Sequence, residues 1–267
     1  MPYTMVAGER LFYALVEGDP TRERNLILVH GAGGDHTHWP AELRRIPGIN
    51  VYALDLPGHG RSSGQGRTSV ADYADGVHLF AQTLKLEQAS VVGHSMGGAI
   101  AQTMALHQPT WLDRAVLIGT GARLRVHTLI LQGLQLASTK DLSPSASKST
   151  FEATIDTICQ WAYGPSINQQ ILRKSRQQLL GVDPDVIYGD YKACNNFDVM
   201  DRVTDIKLPT LIIVGSADRM TPPKYGQYLH NQISGSQLVE IKDGGHMMAI
   251  EKPTEVAQAV TRFLKAL

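Results

Sequence analysis

The residues around Ser95 are of the types that hold a reactive serine in a tight turn between a strand and a helix. The string Gly93-His94-Ser95-Met96-Gly97 fits the pattern G-x-S-x-G, which lifts a serine hydroxyl above the carboxyl edge of a parallel sheet. Such a turn crowds the backbone, so the two glycine positions must lack a side chain. The helix that follows directs free N–H groups at the serine. Small-residue turns produce this string by chance, but the strand before it and the helix after it favour a nucleophile.

A serine nucleophile needs a base, and His246 is the predicted one among ten histidines. It follows the last predicted strand and therefore lies on the same sheet edge as Ser95. We expect His30 to hydrogen-bond the backbone of its loop, and His94 to point away from the serine that it adjoins. The other histidines are predicted on loops, helix faces or the segment 123–196, where solvated or structural roles are usual: His36, His38, His59, His78, His107, His127 and His230.

An imidazole base needs a carboxylate to orient it, and Asp218 is the predicted one. It follows the predicted strand 210–215, on the same edge as the serine. Asp55 also ends a strand there, but the turn residues after it indicate that it braces its own loop. Three more aspartates precede the strand 210–215 and are predicted to be surface or capping charges: Asp198, Asp201 and Asp205. The chain order Ser95, Asp218, His246 is one of the three known orders of a serine triad.

Attack of a serine on a carbonyl also needs two N–H groups that converge on the developing negative charge. Met96, the residue after the nucleophile, supplies one by geometry. We predict that the other comes from Ala32, in the loop His30-Gly31-Ala32-Gly33-Gly34 after the first buried parallel strand. A phosphate-binding loop is the alternative. It is disfavoured because no Lys-Ser/Thr pair ends this loop and no long helix follows it directly.

Composition excludes several other kinds of protein. Lys and Arg number 25 and balance 25 Asp and Glu, so we predict neither a nucleic-acid partner nor an anionic membrane surface. Cys159 and Cys194 form no disulfide framework and no metal-ligand spacing, and no cofactor or metal is predicted. No apolar run has the length of a membrane span, and the first residues lack the regions of a signal peptide, so a cytoplasmic location is expected. Oligomeric state is not indicated.

The order of predicted elements is that of an α/β fold with one insertion. Strands are predicted at residues 3–6, 9–16, 25–29, 51–54, from 89 to the serine turn, and at 115–120, 210–215 and 237–241, with helices between most of them. Residues 123–196 contain no convincing strand and have a helical pattern. This alternation predicts a mostly parallel sheet wrapped by helices. We expect a core of residues 1–122 and 197–267, with residues 123–196 as an inserted helical cap over the ligand-binding edge.

Five motifs in order resemble those of the α/β-hydrolase superfamily. They are residues 30–34 through Trp39, residues 55–62, residues 93–98, residues 209–215 with Asp218, and residues 244–246 with 251–253. The resemblance covers the chain outside residues 123–196. It implies an α/β-hydrolase fold with an eight-stranded, mostly parallel sheet flanked by helices. It also implies a triad of Ser95, Asp218 and His246 under a helical cap.

The resemblance is less specific for the reaction, because this superfamily hosts many activities. Its dehalogenases and epoxide hydrolases have aspartate where this chain has Ser95. Its C–C bond hydrolases resemble Gly-Asn-Ser-Met-Gly, where this chain has His94. No long lipase cover is evident. A carboxylesterase that forms an acyl-enzyme on small esters is the leading prediction, and a lactone or enol-lactone hydrolase is the next. A C–C bond hydrolase and a catalytically silent small-molecule receptor on the same scaffold remain alternatives.

The segment 123–196 predicts an apolar pocket for uncharged esters. Leu129 and Trp161 are the predicted pocket residues. The apolar cluster near the start of this segment equally fits a packing face between cap and core. Most of this segment's side chains are apolar or uncharged, and Arg123 and Arg125 are the exceptions. We expect these two to be solvated where the cap joins the core.

Overall fold

The core of the molecule is an eight-stranded sheet. The structure, a computed structural model, describes residues 2–18, 24–139 and 141–266. The strands are β1 Tyr3–Val6, β2 Glu9–Val16, β3 Asn25–Val29, β4 Asn50–Leu54, β5 Ala89–His94, β6 Leu112–Ile118, β7 Thr210–Gly215 and β8 Gln237–Ile241. Their spatial order is β1-β2-β4-β3-β5-β6-β7-β8. Only β2 runs antiparallel to its neighbours, which confirms the predicted α/β-hydrolase fold with a mostly parallel sheet.

Helices cover both faces of this sheet. Over the described residues they are α1 Ala41–Arg44, α2 Val70–Thr83, α3 Met96–His107, α4 Thr128–Ser138, α5 Pro144–Ala162, α6 Gln169–Leu180, α7 Pro184–Asn196, α8 Pro223–Gln232, α9 Met248–Glu251 and α10 Pro253–Lys265. In the described ranges, every helix is too short or too polar to cross a lipid bilayer.

The apolar runs of the inner strands are explained by burial on both faces. In β5, Val91 packs into the cluster that contains α2 and α3, and Val92 packs into the opposite cluster with α1 and α10. Both side chains are fully buried. Successive side chains of a strand point to opposite faces, so a strand between two helical layers needs apolar residues at every position.

Two prolines of the segment 123–196 begin helices. Pro144 and Pro184 occupy the first turns of α5 and α7, where the missing N–H has no intrahelical role. The preceding residues, Ser143 and Asp183, cap these helices with their side-chain oxygens. Each of these Ser-Pro and Asp-Pro pairs therefore marks the start of a helix.

Helices α4 to α7 lie between β6 and β7 in the chain and form what we term the helical insertion, residues 123–196. Its two ends lie side by side: Arg123 and Asp198 form an antiparallel bridge, and Val199 N donates to the Ala122 carbonyl at 2.8 Å. The helices share an apolar cluster of their own, built around Ile130, Leu134, Phe151, Ile155 and Ile187. The insertion thus leaves and rejoins the core at one place.

Candidate active site

Ser95 lies at a strained turn between β5 and α3. Its φ of 54° and ψ of −112° describe a backbone conformation that residues with side chains rarely adopt. Backbone strain of this kind is concentrated at functional sites. A Cβ at Gly93 would overlap the carbonyl of Gly97, and a Cβ at Gly97 would overlap the carbonyl of Val29. Backbone atoms cannot move aside as a flexible side chain can. Both positions therefore need glycine, because the tight turn leaves no room for a side chain, as the sequence pattern predicted.

Asp218 and His246 form a buried pair at the ends of β7 and β8. The Asp218 Oδ2 lies 2.9 Å from His246 Nδ1, and each residue is 4% exposed. The Asp218 carboxylate also accepts hydrogen bonds from Met220 N at 2.9 Å, Thr221 N at 2.8 Å and the Thr221 hydroxyl at 2.7 Å. Because Nδ1 of His246 is committed to the carboxylate, Nε2 is the nitrogen that remains for another partner.

These donors keep Asp218 ionised. Burial by itself raises the pKa of a carboxyl group, but the charge of His246 and the hydrogen bonds from His246 and Thr221 bring the pKa of Asp218 below its ordinary value. Thr221 was not predicted from sequence. A threonine three residues after an aspartate is the pattern that would have indicated it, because both its amide and its hydroxyl can reach the carboxylate.

The buried ring of His94 lies beside that of His246. It lines the same cavity as Ser95, and its ring centroid lies 4.8 Å from that of His246. Burial and the proximity of His246 lower the pKa of His94 to about 3, so the ring is neutral. Its Nε2–H donates to the His246 carbonyl at 2.9 Å. The His94 ring is thus held by the loop that carries His246, a contact that the sequence did not predict.

The loop after β3 approaches Ser95 from the other side. Ala32, half-buried, lines the cavity together with Ser95. In this loop Gly33 N donates to Asp190 and Gly34 N donates to the Gly31 carbonyl, whereas Ala32 N has no acceptor among the described residues. Met96 begins α3, so its N–H also lacks an intrahelical acceptor. Among the residues that the structure describes, the two predicted donors thus have no acceptor.

His30 and Asp55 hold the loops beneath this edge, as the sequence predicted. His30 Nε2 accepts from Leu56 N at 3.1 Å, and its Nδ1–H donates to the Gly31 carbonyl at 2.9 Å. Burial and the nearby His59 keep the pKa of His30 well below its usual value, consistent with a neutral ring. The Asp55 carboxylate accepts from His36 N, from His36 Nδ1 and from Arg61 N.

Asp55 also belongs to the one cluster with metal-ligand types among the described residues. The ligand atoms of Asp35, His36 and Asp55 lie within 4.8 Å of one another. Hydrogen bonds account for them, since His36 donates to Asp55 and the amide and hydroxyl of Thr37 donate to Asp35. None of the three lines the Ser95 cavity. This cluster therefore joins the segment at residues 35–37 to the loop that carries Asp55.

A cavity of about 460 Å³ opens above Ser95 and His246. The helical insertion supplies much of its wall, with apolar side chains at Leu124, Val126, Ile130, Ile158 and Leu179. Trp161 lines it as well, and its ring packs edge-on against His127 with centroids 5.1 Å apart.

Leu129 was predicted to line the pocket, and this prediction was wrong. Its side chain is 60% exposed, and it does not occur among the described residues that line the cavity. In helix α4 the apolar stripe that faces inward contains Ile130 and Leu134, which are almost fully buried. Leu129 precedes this stripe by one residue, which is a rotation of about 100° around the helix.

The charged side chains of the cavity wall are all basic among the described residues. Arg125, Arg219 and Lys224 line it, and no aspartate or glutamate does. Arg125 is half-exposed at the hinge, as expected for it, and is paired with Asp198 at 3.1 Å. Arg219 and Lys224 are exposed and have no carboxylate partner in the described part of the chain; Arg219 donates to the Gln160 carbonyl.

Glu251 ties the insertion to the loop that carries His246. Its two carboxylate oxygens accept from Gly164 N at 2.9 Å and from Gly245 N at 3.1 Å. Met247 N donates to the Ala162 carbonyl at 3.0 Å. The end of α5 is therefore fixed next to the imidazole. The sequence motif contained Glu251, but its role depends on a contact 87 residues away and could not be inferred locally.

Comparison with known proteins agrees with this geometry. Residues 26–259 match the model of a family described as the alpha/beta hydrolase family. The chain belongs to this family. The match covers the strands β4 to β8 and every predicted site residue.

Relatives of this alpha/beta hydrolase have several hydrolytic activities. A pimeloyl-acyl-carrier-protein methyl ester esterase of Pectobacterium carotovorum is 25% identical over 250 residues, 91% of this chain and 94% of that protein. A solved structure described as a thermophilic esterase is 35% identical, with a TM-score of 0.80 over 99% of this chain and 96% of the other. The enol-lactonase of Burkholderia xenovorans LB400 has a TM-score of 0.88 at 24% identity, over 98% and 99% of the two chains. The chain is similar to esterases and to a lactonase.

The Asp218–His246 pair predicts an acid-sensitive contribution to stability. The folded pKa of Asp218 is below the unfolded value of about 4, so the stabilisation is present above that pH and is lost as pH falls through the folded value. We expect the difference in unfolding free energy between wild type and Asp218→Asn to shrink as pH falls below about 4. Urea unfolding from pH 7 to pH 3 measures it. A difference that stays constant over this range would contradict the assignment.

Proposed function

We propose that this alpha/beta hydrolase cleaves small carboxylic esters through an acyl-enzyme formed on Ser95. The observation that carries the proposal is the common cavity. Ser95, with its strained backbone, and the imidazole of His246, which is paired with Asp218, both line this cavity. Ala32, whose N–H has no acceptor among the described residues, lines it as well. A nucleophile, an oriented base and a site for an oxyanion are the parts that acyl transfer requires.

In the proposed first step, His246 Nε2 accepts the proton of the Ser95 hydroxyl while Oγ forms a bond to the ester carbonyl carbon. The carbonyl oxygen becomes an oxyanion, which the N–H groups of Ala32 and Met96 stabilise. Asp218 holds the tautomer of the ring and stabilises the imidazolium. The C–O bond to the alcohol then breaks, and His246 gives its proton to the departing alkoxide. Water hydrolyses the acyl-enzyme by the same route, and no step needs another reactant.

We also propose that residues 123–196 act as a cap that shapes the substrate site, on a core of residues 1–122 and 197–267. The contacts of the Ala162–Gly164 end with the His246 loop support this role. The apolar wall favours uncharged esters, because an unpaired carboxylate is costly to bury. The substrate is thus a small neutral molecule.

A lactone or ester that bears a carboxylate is the second candidate substrate. It is supported by the basic lining at Arg219 and Lys224 and by the similarity to enol-lactonases, one of them the 3-oxoadipate enol-lactonase 1 of Acinetobacter baylyi. That relative is 23% identical over 252 residues, 93% of this chain and 91% of that protein. A lactone is a cyclic ester, so the catalytic steps would be the same.

Substitution of the nucleophile tests the mechanism. Ser95→Ala should keep the fold but lower kcat on p-nitrophenyl esters on the order of 10⁶-fold, since the members of a serine triad act as a unit. Ser175→Ala is the matched control, because this buried serine lines the same cavity and accepts from Tyr163. The control should keep kcat within about threefold, as expected for a lost neutral hydrogen bond. Near wild-type turnover by Ser95→Ala would refute the proposal.

Trp161 should control the length of the acyl chain. Trp161→Ala enlarges the cavity, so the ratio of kcat/KM for octanoate over butanoate p-nitrophenyl esters should rise about tenfold, the scale of a few methylene contacts. Leu129→Ala is the control, because Leu129 is exposed and outside the cavity wall. It should leave the ratio unchanged. Equal ratios in all three proteins would show that Trp161 does not bound the acyl site.

The charge of the preferred substrate separates the two candidates. We expect kcat/KM for neutral methyl esters to exceed that for matched dicarboxylate half-esters and acidic lactones by about tenfold, because Arg219 and Lys224 are exposed to water at the rim. A preference of tenfold or more for the acidic compounds, lost in Arg219→Ala/Lys224→Ala, would instead establish the carboxylate-bearing substrate.

A further inference from the structure

A buried aspartate of the helical insertion reaches the loop beside Ser95. Asp190, in α7, is fully buried. Its Oδ2 accepts from Gly33 N at 2.8 Å and from His59 Nε2 at 2.8 Å, and its Oδ1 accepts from the Tyr73 hydroxyl at 2.6 Å. Three donors from three separate segments of the core thus converge on one carboxylate of the insertion.

The hydrogen bond to Gly33 is strong for an electrostatic reason. His59 donates from Nδ1 to the Pro57 carbonyl and from Nε2 to Asp190, so its ring carries both protons. Burial by itself lowers the pKa of His59, but the charge of Asp190 raises it above the usual value. Asp190 is therefore a carboxylate, and a carboxylate binds a backbone N–H more strongly than a neutral acceptor does.

The loop is also pressed against the insertion at the same residue. Gly33 has a φ of +66°, and a Cβ there would lie 2.9 Å from the side chains of Leu179 and Ile187. In the same helix, Gly189 approaches the Arg67 carbonyl so closely that a Cβ would lie 3.0 Å from it. Helix α7 thus contacts two core loops closely, one of them at the residue next to Ala32.

We propose that Asp190 is a positioning residue for the oxyanion site, acting through Gly33. By accepting the Gly33 N–H, it holds the peptide plane between Ala32 and Gly33. The Gly31 carbonyl, which shares the preceding peptide plane with the Ala32 N–H, accepts from Gly34 N and His30 Nδ1. With both flanking peptides held, the direction of the Ala32 N–H is fixed. This inference rests on the proposed function, and it makes the insertion part of the catalytic apparatus. A merely structural Asp190 would affect stability but not the relative binding of the transition state.

Three variants separate these roles. Asp190→Ala removes the acceptor of Gly33. In Asp190→Asn the amide oxygen can still accept from Gly33, and the amide N–H can donate to the Tyr73 oxygen, but the charge is lost. Asp183→Ala is the matched control: it removes an aspartate that caps the same helix, at the exposed end, and leaves Gly33 untouched.

The measurements are kcat, KM and the inhibition constant of a trifluoromethyl ketone analogue of the best ester, which adds to Ser95 and places an oxyanion in the site. Asp190→Ala should lower kcat about 10- to 100-fold, somewhat less than removal of an oxyanion donor, and raise the inhibition constant by the same factor. KM should change less than about threefold, the pattern of an interaction made in the transition state. The kcat and the inhibition constant of Asp190→Asn should lie between those of Asp190→Ala and wild type. Asp183→Ala should match wild type in kcat.

Unchanged kcat and inhibition constant in folded Asp190→Ala would overturn the positioning role. If that variant does not fold, Asp190→Asn decides by the same two quantities: a parallel loss of about three- to tenfold supports the role, since charge assistance roughly doubles such a bond, and no loss overturns it. Wild-type ester turnover that Ser95→Ala abolishes supports the proposed function independently. Absent wild-type turnover contradicts the proposed function, whereas wild-type turnover with unaffected Asp190 variants contradicts the positioning role alone.

Discussion

The backbone-to-backbone contact between α3 and the central strands is the constraint on which the site depends. Gly97 lies against the carbonyl of Val29, the last residue of β3, and Gly93 of β5 lies against Gly97. Backbone atoms in contact leave no flexible side chain to absorb a shift, and interiors are densely packed. The loop that carries Ala32 leaves β3 immediately after this contact. One contact therefore fixes the serine, the start of α3 and the oxyanion loop relative to one another.

The parallel sheet extends this rigidity to the other side-chain groups. Asp218 and His246 follow β7 and β8, which are neighbours in the sheet, so the carboxylate and the imidazole emerge side by side. Parallel strands place all their carboxyl ends on one edge, where α/β proteins bind ligands. The insertion after β6 covers that edge. Residues distant in sequence thus meet because their strands share a direction.

Three buried aspartates hold this edge, and each is saturated with donors. Asp55 accepts from the segments after β3 and after β4, Asp190 joins the insertion to the oxyanion loop, and Asp218 orients His246. A buried carboxylate is costly unless hydrogen bonds replace its water, and removal of one partner leaves an unpaired charge. Such groups therefore favour one arrangement of the loops over alternatives with similar apolar contacts.

The sequence by itself determined the strands and the serine turn, because these depend on neighbours within a few residues. The loop roles of His30 and Asp55 were inferable because each follows a strand and is followed by turn residues. The side-by-side position of Asp218 and His246 was also inferable, since strand direction assigns both to one edge. Only the tertiary structure decided that His94 adjoins His246, that Leu129 faces solvent and that Asp190 reaches Gly33. An acidic residue on the apolar face of α7 was a signal, but its partner lies 157 residues away. Helix rotation and the docking of the insertion set these contacts, and no local pattern encodes either.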